Sequence, residues 1–428
     1  MKPERLIIIG LDGVPFPLLE DLTQTGIMPN TGRIIQDGFF RPMRSSIPEI
    51  SSVAWSSIIT GTNPGEHGIF GFTDMHPCSY KIRFPNFNDL KSPPFWKRCR
   101  GKSVIMNVPS TYPVGEMNGV HISGFVSIDF EKSIHPKSLV PQLKKLDYRL
   151  DVDAQKAHNS MDLFLTDLEE SLDARIRAFR YLWENQDWQT FMLVFTGTDR
   201  LMHFLWSAYD DKNHKYHNAF LGHFRKIDEA IGQINESISE NEALILLSDH
   251  GFEGLDKDIY INRFLIQHGF LTLAQGSEPN LANIDYATKA FALDPARIYI
   301  NLKDKYPKGS VSHDQKTGLI NKLQELFYSF EIDGRKVINQ AHRKEDIYSG
   351  PYLEDAPDLV LISEKGFNLK SAMAAQELAG KGPFTGKHTY QDAFLLIKNK
   401  SIVPDFDDQL SVIDVGKLIK SLVTEDVM

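Results

Sequence analysis

Residues 44–72 read RSSIPEISSVAWSSIITGTNPGEHGIFGF, and the rest of the chain can be arranged around this stretch. It begins as an extended, turn-rich segment and then predicts a helix over residues 52–60, which Gly61 and Pro64 would end. Ser51 would lie just before this helix, where unpaired backbone N–H groups and the helix dipole favour an anion. A lone Ser at such a position is usually only an N-cap. Ser51 becomes a candidate nucleophile because the chain also supplies acidic and imidazole residues with the spacing of metal ligands.

Short apolar runs alternate with helical patterns along the chain. The apolar runs predict strands at residues 6–11, 103–107, 120–125, 190–196, 243–248, 297–302, 357–362 and 393–398. The helical patterns predict helices at residues 15–22, 29–36, 52–60, 160–185 (one helix or two), 217–237, 259–268, 316–327 and 412–422. This alternation predicts an α/β fold with a mostly parallel central sheet between layers of helices, and with ligands beyond the carboxyl ends of the strands.

Two regions of the sequence look like additions beside this sheet. Residues 1–253 and 383–428 are predicted to form the α/β core, and residues 254–382 an accessory α+β region. Residues 72–102, which are rich in aromatic residues and proline, form the second addition. Neither addition carries a recognisable chemical motif, and we expect both of them to determine specificity.

The composition is that of an ordinary soluble globular protein, with 42% hydrophobic and 24% charged residues over 428 positions. A net charge of −9 argues against binding to a nucleic-acid duplex. No stretch approaches the roughly 18 apolar residues of a membrane span. Cys78 and Cys99 have no CxxC spacing, so we predict free thiols and a cytoplasmic location.

Three of the apolar strands are followed closely by an aspartate: Asp12, Asp199 and Asp249. In a parallel sheet these carboxylates would converge at one edge. Clustered carboxylates repel one another unless they are protonated or neutralised, so a bound cation is expected. A helix N-cap would explain any one of these residues, but it does not explain all three.

Three histidines accompany these aspartates. His203 lies four residues after Asp199, so the two side chains would share one helix face. His250 follows Asp249 directly, and His388 lies in a Gly-rich loop before a late strand. Oxygen and imidazole ligands suit Zn²⁺, with Mn²⁺ or Fe as alternatives. Because the ligands exceed what one tetrahedral ion needs, we predict two divalent ions.

The order of these motifs resembles the alkaline phosphatase superfamily and, within it, prokaryotic members of the type I phosphodiesterase/nucleotide pyrophosphatase branch. INRFLIQHGFL, ARIYINLKDKYPKGSV and IYSGPYLEDAPDLVLI are also similar to segments of that branch. The resemblance implies an alkaline-phosphatase-like three-layer α/β sandwich. It also implies a metal-dependent phosphoester hydrolase of the phosphodiesterase or nucleotide pyrophosphatase type that acts on a small phosphorylated substrate.

The resemblance further implies roles for individual residues. One zinc ion would be surrounded by Asp12, Ser51, Asp249 and His250, and the other by Asp199, His203 and His388. Family nucleophiles lie nine residues before the Thr of a TG pair, so the pair at Thr60 selects Ser51 over Ser52. Ser51 would attack phosphorus and form a phosphoseryl intermediate, which water would then hydrolyse.

Two departures from the family pattern leave other activities open. Phe72 stands where nucleotide pyrophosphatases carry an Asn that contacts a phosphate oxygen, and Lys387 precedes His388 where an Asp is common. A phosphomonoesterase or a phosphomutase of the same superfamily is the alternative, followed by a catalytically silent binding protein. A sulfatase is disfavoured because no Cys or Ser has the sequence context for conversion to formylglycine. The sequence assigns no substrate-binding residue and indicates no oligomeric state.

Overall fold

The computed structural model describes residues 2–99 and 101–424, so the outermost residues of the predicted core, 1 and 425–428, and residue 100 of the aromatic addition lie outside the described residues. The helices are α1 Phe16–Gln24, α2 Pro29–Asp37, α3 Ser51–Thr60, α4 Pro64–His67, α5 Val140–Lys145, α6 Gln155–Asn159, α7 Met161–Asn185, α8 Gly197–Asp210, α9 His217–Ser237, α10 Ile261–Gln267, α11 His313–Tyr328, α12 Lys344–Ile347 and α13 Val412–Val423.

The strands are β1 Leu6–Leu11, β2 Phe39–Met43, β3 Asp74–Met75, β4 Ile82–Arg83, β5 Ser103–Val108, β6 Gly119–Ser123, β7 Ile134–His135, β8 Thr190–Phe195, β9 Ala243–Leu247, β10 Gly251–Gly254, β11 Lys257–Tyr260, β12 Ala290–Leu293, β13 Arg297–Ile300, β14 Glu331–Ile332, β15 Arg335–Lys336, β16 Ile338–Arg343, β17 Leu359–Ser363, β18 Phe367–Lys370, β19 Ala379–Gly380, β20 Gly386–Thr389 and β21 Ala393–Ile397. Short 3₁₀ turns connect several of these elements.

The central sheet has eight strands in the order β2-β21-β9-β1-β8-β5-β6-β7. The five strands from β9 to β6 run parallel, and antiparallel strands complete both edges. Every residue of β1, β8 and β9 is buried, as expected for a sheet that is covered on both faces. The predicted α/β class with a mostly parallel central sheet is therefore confirmed.

Helix α3 is packed tightly against the centre of this sheet, and all its residues are buried. A Cβ atom at Gly10 of β1 would clash with the ring of Trp55, so the glycine allows α3 to lie directly on β1. Gly61 ends the helix in the left-handed region, with a φ of 62°. The predicted helix therefore ends where expected, but it begins one residue earlier, at Ser51, after an extended Ile50.

The chain divides into two compact units, residues 1–62, 86–254 and 388–428 in the first and residues 63–85 and 255–387 in the second. The first unit contains the central sheet. The second has its own core around Phe264 and Phe327, with a four-stranded sheet β12-β13-β17-β16 and a three-stranded sheet β18-β11-β19. The domain boundaries expected at residues 253/254 and 382/383 stay a prediction.

One predicted element in the second unit is wrong at its start. The helix expected over residues 259–268 is α10, which begins only at Ile261. Ile259 belongs instead to β11, where it is paired with Leu369 of β18 and Ala379 of β19. Pairing with strands more than 100 residues away in sequence therefore overrides the local apolar pattern.

Two further expectations concern membrane crossing and the cysteines. In the described part, no helix combines the length and the apolar character that a membrane crossing requires. Cys78 and Cys99 are both free thiols, as predicted.

Candidate metal and catalytic site

Three neighbouring parallel strands bring the predicted aspartates to one edge of the central sheet. Asp12 follows β1 directly, Asp249 follows the end of β9, and Asp199 is in the first turn of α8, just after β8. Because β9, β1 and β8 are adjacent and parallel, their carboxyl ends lie side by side. The topology therefore produces the convergence that the sequence pattern indicated.

Four of the predicted residues form what we call the buried half of the site: Asp12, Ser51, Asp249 and His250. Their exposed fractions are 0% for Asp12, Asp249 and His250 and 2% for Ser51. The Ser51 hydroxyl lies 3.3 Å from Asp12 Oδ1 and 3.1 Å from His250 Nε2. His250 Nε2 in turn lies 3.4 Å from Asp249 Oδ2.

The other three residues, Asp199, His203 and His388, form the open half. His388 Nε2 lies 3.0 Å from Asp199 Oδ1 and 2.9 Å from His203 Nε2. Asp199 and His203 are four residues apart on α8, as predicted, and His203 Nε2 lies 3.4 Å from Asp199 Oδ1. The side chains of His203 and His388 are 17% and 16% exposed, so this half is accessible to solvent.

The two halves are in direct contact. One ligand atom from each of Asp12, Asp199 and His250 lies within 4.8 Å of the other two, and the same holds for Asp199, His203 and His388. The rings of His250 and His388 stack with their centroids 3.8 Å apart. All seven predicted residues thus belong to a single cluster, while their individual roles stay a prediction.

The carboxylates of the two halves have opposite electrostatic environments. Burial, together with the negative charges of Asp249 and Asp199, raises the pKa of Asp12 well above its usual value. Burial raises the pKa of Asp249 to about 7, although the hydrogen bond from the Gly13 N–H has the opposite effect and lowers this pKa. Burial would also raise the pKa of Asp199, but His203 and His388 outweigh this effect and hold that pKa below its usual range.

The residues present fit a divalent cation. Asp12 Oδ2 and Asp249 Oδ2 are buried and have no hydrogen-bond partner among the described residues. His250 Nδ1 lies 3.0 Å from Gly251 O and His388 Nδ1 3.0 Å from Glu49 O, so each ring can donate there and leave Nε2 free as a ligand. Carboxylate oxygens and imidazole nitrogens are the donors that Zn²⁺ and related ions prefer.

Several contacts that hold these ligands were not apparent from the sequence. The Gly13 N–H donates to Asp249 Oδ1 at 3.0 Å, and the Ser45 hydroxyl donates to the Asp249 carbonyl at 2.7 Å. The Thr198 hydroxyl donates to the Asp12 carbonyl at 2.6 Å. Gly13 has a φ of 72°, which explains the glycine directly after Asp12.

Arg200 is a charged residue of the site that sequence reasoning missed. Its Nη1 lies 3.5 Å from Asp199 Oδ2, and its Nη2 donates to Asp151 Oδ2 at 3.0 Å. Its guanidinium also lies over the Phe125 ring, 4.7 Å from the centroid. The one available signal was a cation directly beside a candidate ligand in TDRLMH. Arg200 supplies positive charge to the open half before any ion binds.

The chain is similar to known proteins both in sequence and in fold. The sequence profile of the family "Type I phosphodiesterase / nucleotide pyrophosphatase" matches residues 6–391. Phosphonoacetate hydrolase from Sinorhizobium meliloti 1021, solved with phosphonoformate, has a TM-score of 0.67 at 15% identity, covering 99% of this chain and 96% of that one. At such identity the likeness shows the fold alone.

Two mammalian structures show the same likeness. Murine ectonucleotide pyrophosphatase / phosphodiesterase 5 has a TM-score of 0.55 at 12% identity, and the human protein has 0.56 at 14%. Each comparison covers 99% of this chain and 96% of the other. No curated protein sequence matches the chain.

Proposed function

The chain belongs to the type I phosphodiesterase / nucleotide pyrophosphatase family, and from this premise we propose that it is a two-metal phosphoester hydrolase in which Ser51 is the nucleophile. The two ions would be zinc, with manganese or iron as alternatives. The buried half would hold one ion and the open half the other. The substrate would be a small phosphorylated molecule, and the setting the cytoplasm.

The position of the Ser51 hydroxyl is the observation that carries this proposal. It lies within hydrogen-bonding reach of Asp12 and His250, at the first residue of α3. The first N–H groups of a helix have no partner within it, so they can share negative charge on phosphoryl oxygens. Ser52, the next residue, has neither contact: its hydroxyl is buried without a hydrogen-bond partner among the described residues.

The chemistry would proceed in two displacements at phosphorus. Bound divalent ions would lower the pKa of the Ser51 hydroxyl and neutralise charge on the phosphoryl group. Ser51 Oγ would form a bond to phosphorus as the bond to the leaving oxygen breaks, and its proton would be released towards His250 or Asp12. Water would then break the phosphoseryl bond and return the proton to Ser51.

The open half favours entry of the substrate from its side. His203 and His388 are partly exposed, whereas the buried half has almost no exposed surface. The leaving group would therefore depart past the open half, close to the positive charge of Arg200. A phosphomonoesterase or phosphomutase activity is the second candidate, because Phe72 and Lys387 depart from the pattern of nucleotide pyrophosphatases.

A substrate panel on metal-analysed protein tests the proposal. The panel would contain p-nitrophenyl phosphate, bis-p-nitrophenyl phosphate, nucleotide diesters and a sulfate ester. Hydrolysis of a phosphoester, together with acid-quench trapping of phosphoserine at Ser51, would support it. Sulfate-ester hydrolysis alone, or a protein that holds metal but hydrolyses no phosphoester, would contradict it.

A further inference from the structure

The two oxygens of the Asp199 carboxylate have different neighbours. Oδ1 lies 3.0 Å from His388 Nε2 and 3.4 Å from His203 Nε2, so it faces the two imidazoles of the open half. Oδ2 instead lies 3.5 Å from Arg200 Nη1. The Asp199 side chain is only 3% exposed. One oxygen is therefore directed at candidate metal ligands, and the other at a guanidinium.

The contact between Asp199 and Arg200 does not follow from the helix that carries them. They are successive residues of α8, and successive residues on a helix do not face each other. Contacts with other segments hold the guanidinium in place. Its Nη2 donates to Asp151 Oδ2 at 3.0 Å, and its Cζ lies 4.7 Å from the centroid of the Phe125 ring. Asp151 precedes α6 and Phe125 follows β6, so Arg200 joins three separate segments.

Asp151 is well placed to anchor this guanidinium. Its Oδ1 accepts from the Val152 N–H at 2.9 Å, while its Oδ2 accepts from Arg200. The side chains of Asp151 and Arg200 are 25% and 24% exposed, so solvent screens their ion pair only partly. A guanidinium carries its donors in a rigid, planar fork, and here its two Nη atoms lie against two different carboxylates. The position of Asp151 therefore determines where Nη1 meets Asp199.

Arg200 is not directed at a substrate. Both of its Nη atoms lie against carboxylates, and its Nε is buried with no hydrogen-bond partner among the described residues. Its influence on the chemistry would therefore pass through Asp199. Because arginine stays protonated in proteins, this influence includes a permanent positive charge beside the open half.

We propose that Arg200, anchored by Asp151, holds Asp199 so that it ligates the open-half ion through Oδ1 alone. This role rests on the proposed function, because it requires an ion in the open half. Oδ1 and the Nε2 atoms of His203 and His388 are then three protein ligand atoms. Catalytic zinc sites typically have three protein ligands and keep a further position for water or substrate. Arg200 is thus a positioning residue that keeps one position on the ion open for a phosphoryl oxygen.

Removal of Arg200 has a consequence that separates this role from simple support. Asp199 Oδ2 becomes free to approach the ion as an additional ligand atom and to fill the open position. The ion keeps all its ligands and loses a neighbouring positive charge that repels it. Its affinity should therefore be retained while activity is lost. Loss of a contact that only supports a ligand typically lowers metal affinity instead.

The full chain, depleted of metal and reconstituted with Co²⁺, tests this role in the absence of substrate. Co²⁺ absorbs visible light strongly in a tetrahedral site and more weakly as further ligands are added. Arg200→Met should therefore lose part of the visible absorption per bound Co²⁺ ion. Asp151→Asn should lose less, because it keeps the charge of Arg200 and removes only its anchor. It also provides the comparison if Arg200→Met does not fold.

Arg335→Met is the matched control. Arg335 Nη1 also lies against a carboxylate, 2.8 Å from Asp256 Oδ2, and its Cζ lies 4.6 Å from the centroid of the Phe367 ring. It belongs to the second compact unit, which contains none of the seven candidate ligands. Arg335→Met should therefore have the Co²⁺ spectrum of the unmodified chain.

Chelator competition and steady-state kinetics on the same preparations complete the test. Arg200→Met should bind both ions as tightly as the unmodified chain, or up to about 5-fold more tightly, which is the size of one partly exposed charge interaction. For a phosphoester that the substrate panel identifies, kcat/KM should fall by about 10–100-fold.

The outcomes separate this role from the proposed function. Unchanged Co²⁺ spectra in Arg200→Met and Asp151→Asn, with two ions bound, would overturn the positioning role and leave the two-metal site intact. Weaker metal binding by Arg200→Met would show that Arg200 only supports Asp199, and would also overturn it. If the unmodified chain binds no metal, both proposals fail. If it binds two ions but hydrolyses no phosphoester, the proposed function fails while the spectra still decide the role of Arg200.

Discussion

The two halves of the candidate site hold their carboxylates in opposite ways. In the buried half, Asp12 and Asp249 are fully buried beside each other, and their pKa values are raised. In the open half, Asp199 lies between two partly exposed histidines and Arg200, and its pKa is lowered. The chain therefore supplies enough countercharge in the open half, whereas in the buried half burial outweighs the countercharge that the chain supplies.

This difference indicates which half should activate the Ser51 hydroxyl as the nucleophile. Only the buried half contacts the Ser51 hydroxyl. An ion there would neutralise the raised-pKa carboxylates and, at the same time, stabilise the Ser51 alkoxide. The open half, with its own positive charge and its access to solvent, suits the phosphoryl group and its leaving oxygen.

Ser51→Ala should produce the largest effect. We expect kcat to fall by roughly 10³-fold to 10⁶-fold, the range seen when a catalytic nucleophile is removed. Folding and metal content should stay nearly intact, because Asp12, Asp249 and His250 remain. Steady-state kinetics on metal-analysed protein measure this, with Ser51→Thr as the control that keeps a hydroxyl. Near-full activity of Ser51→Ala would instead indicate direct attack by water.

Asp249→Asn and Asp199→Asn should each weaken one ion more than the other. Loss of a direct ligand should reduce the affinity for that ion at least as much as the roughly 10–100-fold cost of an outer contact. Elemental analysis after dialysis should then find about one ion per chain in either variant and two in the unmodified protein. Loss of both ions from each variant, or of neither, would show that the two halves do not bind separate ions.

In the metal-free protein, substitutions in the two halves should change the free energy of unfolding in opposite directions. At pH 8, above the raised pKa of Asp249, the ionised carboxylate destabilises the folded state. Asp249→Asn should therefore raise the free energy of unfolding of the metal-free protein by roughly 1–3 kcal/mol. Asp199→Asn should lower it by a similar amount, because the ionised form of Asp199 is favoured by the fold.

Denaturant unfolding after treatment with a chelator measures both changes, and the unmodified metal-free protein is the reference. Adding the metal back should make the unmodified chain the most stable of the three proteins, since it then binds both ions most tightly. If Asp249→Asn and Asp199→Asn change the free energy of unfolding equally and in the same direction, the two carboxylates do not have opposite electrostatic environments.

Much of the site could be predicted from sequence because its signals are local. Asp12, Asp199 and Asp249 follow apolar runs, and a parallel sheet brings such positions to one edge. Pairing between distant strands could not be predicted from the sequence. Ile259 is in a strand because β18 and β19 lie beside it. The sequence of β2, which contains Pro42, has no alternating pattern that would predict a strand.

The start of α3 shows a finer limit of the same kind. The sequence pattern placed Ser51 just before the helix and began the helix at residue 52. In the structure Ile50 is the N-cap residue, and among the described side chains none caps this helix start. The close packing of α3 on β1, where a Cβ atom at Gly10 would clash with Trp55, is a tertiary contact that a local capping preference does not take into account.

Ser52→Ala should therefore have the smallest effect and sharpen the assignment of Ser51. The Ser52 hydroxyl is buried without a partner among the described residues, so removing it takes away an unsatisfied polar group rather than a cap. We expect the free energy of unfolding to stay unchanged or rise by about 1 kcal/mol, where loss of a true cap would lower it by about 0.5–2 kcal/mol.

Activity should stay within a few-fold of the unmodified enzyme, since the hydroxyl next to Asp12 and His250 is retained. Denaturant unfolding and steady-state kinetics on the same preparation measure both quantities. A large loss of kcat with unchanged metal content would move the nucleophile to Ser52, and a clear loss of stability would show that the Ser52 hydroxyl helps to cap the helix.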